Sequence, residues 1–172
     1  MAIYHPPTFI NAYLKDTIPA YAEYETIPFF PTSPTTIDDL TQTFIQNGNA
    51  TSGVFAVYDR MLRMRRSPFP HIKSEQLMYY FYAVGEDAVE RVIETTQHMQ
   101  DLLDREDESA QEVNTWISQH PIMGPDGNPM PKPFFHRFRV YQLQETRDII
   151  DFGTARTYAG NKMIVEYDWH KS

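Results

Sequence analysis

Residues 76–104, QLMYYFYAVGEDAVERVIETTQHMQDLLD, restrict the choice of fold more than any other stretch of the chain. The stretch opens on an aromatic and aliphatic run, Gln76 to Val84, rich in residues that suit a pleated surface. Such a run predicts a strand with both faces apolar, and therefore a strand in the interior of a sheet. Gly85, Glu86 and Asp87 end it, and the hydrophobic period changes from two to about 3.6. Val89, Val92, Ile93, Thr96, Met99 and Leu103 then mark one face of an α-helix, predicted over about 87–104. That helix has to cover one face of the sheet, and the rest of the chain is arranged around the pair.

Proline sets the outer limits of the other elements. All 13 prolines fall in four clusters, Pro6-Pro7, Pro19 to Pro34, Pro68 to Pro70 and Pro121 to Pro133, where regular structure is expected to stop. TFINAYLKDT, from Thr8 to Thr17, predicts a short helix with Thr8 as N-cap and Phe9, Ile10, Tyr13 and Leu14 as its stripe. Pro19 to Asn49 reads as an extended, Pro-rich arm. Its aromatics, Phe29 and Phe30 among them, need a surface to pack on, in the same domain or in a neighbouring subunit. Gly53 to Met64 predicts a strand that returns through SPFPHIKSE into the Gln76–Val84 strand, antiparallel to it.

A second helix is expected to carry Ala110, Val113, Trp116 and Ile117 and to end at Pro121. A loop follows, and then FFHRFRVYQL as a strand with Phe134, Phe138 and Val140 inward and Arg137, Arg139 and Tyr141 outward. Gly160-Asn161 reads as a two-residue hairpin turn. The last strand alternates Met163, Val165, Tyr167 and Trp169 against Ile164, Glu166 and Asp168. The expected whole is a single α+β domain. It has an antiparallel or mixed β-sheet flanked by helices over 51–172, and a helix and arm over 1–50.

Charge is the second informative feature. The net charge is −8, and a balance of the same size lies between Glu86 and Glu112 alone, so the remainder is neutral. The bland reading is a solvated helix face; the sharper one is an acidic surface seen by a polyanion or a partner. Against it stands a basic stretch with Arg60, Arg63, Arg65 and Arg66, then His71 and Lys73. Three readings are open for that stretch: a solvated hairpin tip, phosphate contacts to nucleic acid, or pairing with the acidic region of another copy. In the last case the candidate interface residues are Arg60, Arg63, Arg65 and Arg66 on one side. Asp101, Asp104, Glu106, Asp107 and Glu108 face them, with Phe29 and Phe30 added from the arm.

Chemical motifs are sparse. The chain has no cysteine, so thiolate catalysis, thiolate metal sites and disulfides are out. No nucleophile elbow, phosphate loop or dinucleotide fingerprint occurs, and Asp151-Phe152-Gly153 is a chance tripeptide without its kinase partners. His136, Asp168 and His170 are the best metal-ligand candidates, since neighbouring terminal strands could bring them together. Ordinary hydrogen-bonded histidines are the expectation there. No catalytic residue, cofactor or metal is expected. No apolar run reaches the roughly 18 residues of a membrane span, and the N-terminus lacks the pattern of a secretory signal.

Three segments together resemble the tail terminator, or tail-completion, and neck proteins of tailed bacteriophages. They are YDRMLRMRRSPFPHIKSEQLMYYFYAV, DAVERVIETTQHMQDLLDREDESAQEVNTWI and the closing FFHRFRVYQLQETRDIID…RTYAGNKMIVEYDWHKS. The likeness covers roughly Thr51 to Ser172 and lies in element order and texture rather than in a signature. It implies a structural virion protein assembled in the host cytoplasm, a homo-oligomer forming a hexameric ring. Such a ring caps the tail tube, contacts the sheath where there is one, and presents a surface to the head connector. DNA would pass through the centre without being read. The alternatives are a head-side connector or stopper and, outside virion proteins, a nucleic-acid-binding module or a small enzyme.

Overall fold

The computed structural model describes residues 4–18, 53–66, 71–84, 88–151 and 156–172. The arm, with Phe29 and Phe30, lies outside the described residues. The elements are α1 (Pro6–Thr17), β1 (Gly53–Arg66), β2 (Lys73–Val84), α2 (Ala88–Leu103), α3 (Asp107–Gln119), β3 (Pro133–Asp151) and β4 (Arg156–Lys171). The strands form one antiparallel sheet in the order β1-β2-β4-β3. The chain is therefore an α+β fold, and β2, the strand with two apolar faces, lies inside the sheet as its composition requires.

Alternation along the strands decides which side chains enter the core. Leu77 and Tyr79 of β2, Phe135, Phe138 and Val140 of β3, and Met163, Val165, Tyr167 and Trp169 of β4 are all buried. They pack with Phe9, Ile10, Tyr13 and Leu14 of α1, Met99 and Leu103 of α2, and Ala110, Val113 and Ile117 of α3. The three helices thus contribute to one core on one face of the sheet. Polar contacts fix α1: the Tyr79 hydroxyl donates to Asn11 Oδ1 (2.5 Å) and the Trp116 indole N–H to Asp16 Oδ2 (2.7 Å).

Four local expectations change. Pro6 and Pro7 do not precede the first helix; they open it behind His5, where proline's fixed φ suits the first turn and its missing N–H costs nothing. Thr8 is consequently inside the helix, bonded to His5 Nδ1 at 2.6 Å, rather than its cap. On α2 the buried face runs through Thr95, Thr96, Met99 and Leu103, and Ile93 is exposed, lying about 100° around the helix from residue 92. Gly160 and Asn161 are not a turn. They lie within β4, opposite Tyr82 and Phe81 of β2, because β3 and β4 run on together as far as the Asp151–Arg156 pair.

The fourth change matters most for the surface. Phe135, not Phe134, enters the core, and Phe134 is 42% exposed. A register shift between Phe135 and Arg137 marks a bulge at His136. One extra residue there puts His136 and Arg137 in succession on the outer face and returns Phe138 to the core. Strict alternation from Phe138 backward cannot see that insertion.

Candidate functional site

The face of the sheet turned away from the helices carries the polar residues of the same alternation. Ser74 of β2 stands opposite Asp168 of β4, which stands opposite Arg137 of β3; one step along, Gln76, Glu166 and Arg139 repeat the pattern. The contacts follow the register. Ser74 Oγ donates to Asp168 Oδ1 (2.6 Å) and Gln76 Nε2 to Glu166 Oε2 (2.6 Å). Arg137 reaches both acids, Nη2 to Glu166 Oε1 at 3.1 Å and Nε to Asp168 Oδ2 at 3.0 Å. Arg65 and Arg63 of β1 occupy the register positions beyond Ser74 and Gln76.

Glu166 is only 6% exposed, so its charge depends on those two partners. Arg137→Ala should therefore lower stability by about 1–3 kcal/mol, the usual cost of stripping a partner from a largely buried polar group. A urea midpoint reads this out, and Arg137→Lys should recover only part because an ammonium cannot reach both carboxylates in a fork. A neutral Arg137→Ala would mean that the carboxylates are solvated.

At the end of this face the histidines meet. His136 Nε2 and His170 Nδ1 lie 2.6 Å apart, so one ring donates and the other accepts. The His71 ring stands edge-on to that of His170 with centroids 6.2 Å apart, and exposed Phe134 packs on both His136 and His170 at 5.2 and 5.1 Å. Burial lowers the His136 imidazole below its ordinary pKa; neighbouring His170 adds to this and Asp168 opposes it. The sequence suggested His136, Asp168 and His170 as a group. The structure brings the two imidazoles together, with Asp168 engaged by Ser74 and Arg137, and adds His71, which its isolation in the sequence hid.

The acidic interface candidates lie around the α2–α3 corner, docked on the far edge of β3. Glu106 pairs backbone to backbone with Phe138 (Glu106 N–H to Phe138 O 3.1 Å, Phe138 N–H to Glu106 O 3.2 Å). Its φ of 53° is in the left-handed region that a β-carbon disfavours, a strained conformation held by this double bond to the strand. Asp104 Oδ1 accepts the Val140 N–H at 3.0 Å, and the Glu106 carboxylate accepts from Arg139 Nη2 at 2.7 Å. Asn114 does for Phe135 what a strand would, accepting its N–H (2.9 Å) and donating to its carbonyl (2.8 Å). Nothing in the sequence singles out Asn114 for this part.

Arg105 gathers Glu108 (2.9 Å) and Glu112, whose carboxyl it holds below the usual range. Asp104, Glu106 and Glu108 therefore have intramolecular partners. Asp101, on α2, and Asp107, in the first turn of α3, are exposed. Arg60, Arg63, Arg65 and Arg66 belong to β1, at the opposite edge of the sheet. Their side chains lie outside what is described.

Among the described residues no helix is long and apolar enough to cross a membrane. Comparison with protein-family models and with curated proteins finds no match.

Proposed function

We propose that this chain is a ring-forming structural subunit of a phage tail, a terminator or neck protein that caps the tail tube and joins it to the head. The reading starts from the resemblance over residues 51–172. The observation that supports it best is topological. The arginine-bearing strand β1 and the acidic α2–α3 corner stand at opposite edges of one sheet. Opposite charges on opposite edges favour a head-to-tail contact, and repetition of such a contact closes a ring when the rotation per subunit divides a full turn. The charged edges supply orientation and rejection of wrong registers more than raw affinity.

Charge reversal tests this. Arg60→Glu with Arg66→Glu, or Asp101→Arg with Asp107→Arg, should each leave monomer in sedimentation or mass photometry, since like charges facing one another cost several kcal/mol per contact. Mixing the two variants should restore rings of alternating copies, because each presents the edge the other lacks. Wild-type rings should loosen at about 1 M salt, where the Debye length is about 3 Å. A wild-type protein that stays monomeric at high concentration, at low salt and with tail tubes added, would overturn the proposal.

A further inference from the structure

We propose that His136, His170 and His71 form a binding site for a borderline transition ion such as Zn(II), on the outer face of the sheet. The proposal is independent of the ring reading and rests on geometry. His136 sits on the bulge of β3, the local insertion that turns its ring toward His170 of β4. Nε2 of one and Nδ1 of the other converge to 2.6 Å with a single proton between them. Imidazole nitrogens bind zinc at about 2.0–2.1 Å, which sets tetrahedral ligand nitrogens about 3.3 Å apart. An opening of about 0.7 Å, with each ring tilting so that its lone pair meets the ion off the N–N line, therefore lets a cation take the place of the shared proton.

The third donor is close. His71 is exposed on the turn that enters β2, and its ring centroid is 6.2 Å from that of His170. Among the described residues no three donor side chains already surround one point. A side-chain rotation at His71 is what completes the set. The charged neighbours do not forbid the ion. Arg137 is neutralised by Glu166 and Asp168, and the net environment of the pair includes the Asp168 carboxylate. Imidazoles of this kind select Zn, Cu or Ni over Mg or Ca. Three ligands from β3, β4 and the turn before β2 would tie those segments together at one end of the sheet.

Titration of the untagged full-length protein with Zn(II) or Co(II) by calorimetry tests this. One equivalent should bind at neutral pH, and His136→Gln or His170→Gln should weaken it by about tenfold or more, since each leaves a single fixed imidazole. His71→Gln, at an exposed turn, should weaken it less. On the unmutated protein, side-chain nitrogen spectra should shift the imidazoles of residues 71, 136 and 170 and leave His5, His98 and His120 in place. Absence of uptake, or uptake unchanged in the His136→Gln/His170→Gln double variant, would overturn the proposal. So would shifts confined to the other three rings, a readout that does not depend on any variant folding.

Discussion

Phe138→Ala is expected to cost about 3–5 kcal/mol, the range for emptying an aromatic site in a core. Phe138 is fully enclosed, against Phe135 at 4.9 Å and Tyr167 at 6.1 Å between ring centroids. Its neighbours cannot close over the void, because its own strand is held on one side by β4 and on the other by the Glu106 pair. Set against the 5–15 kcal/mol by which domains are usually stable, such a loss puts the variant near unfolding at ordinary temperatures. Urea denaturation followed by far-UV circular dichroism measures it. Phe138→Leu keeps most of the volume and should lose clearly less. A loss below about 1 kcal/mol for the alanine variant would mean that the site collapses freely, and that the packing described around Phe138 is wrong.

Asn114→Ala should act through the backbone instead. It orphans both the N–H and the carbonyl of Phe135, a residue 1% exposed, and each unpaired buried group costs about 1–3 kcal/mol. The expected total is about 2–4 kcal/mol, the two losses being partly relieved by water at the strand margin. Asn114→Asp separates them: the carboxylate still accepts the N–H but offers nothing to the carbonyl, so it should fall between wild type and alanine. A second readout is solubility. An uncovered strand edge is a template for pairing with other chains, so Asn114→Ala should also raise concentration-dependent association measured by light scattering. Equal stability of all three proteins would show that water replaces the amide at no cost.

How far the sequence could be read depends on what each residue's neighbours along the chain reveal. The interior position of β2 followed from two apolar faces in one short run, and the helices after it from a change of period. The inward rows of β4 and α1 followed in the same way. Thr8 and Ile93 apart, what failed was set by a partner far away in sequence. The bulge at His136 is one inserted residue, defined by β4 opposite it, and it exchanged Phe134 for Phe135 in the core. Gly160-Asn161 has the composition of a turn but is overridden by pairing of both residues with β2 and of Gly160 with β3 as well. Of the candidate site, the acidic and basic segments were visible as charge. That Glu106 and Asp104 serve the margin of β3, or that Arg137 bridges two carboxylates, depends on pairings between residues about 30 or more positions apart.

The closed margin along Phe135–Val140 gives the sheet a direction. Backbone groups there are already spoken for by Asn114, Glu106 and Asp104. Among the described residues no strand lies beyond β1 on the other side. Over Phe135–Val140 a donated segment finds no free edge, so two molecules cannot extend each other's pleated layers symmetrically through that stretch, whereas a segment can be added alongside β1. An array built that way has a leading and a trailing end, as a row of dovetail joints does.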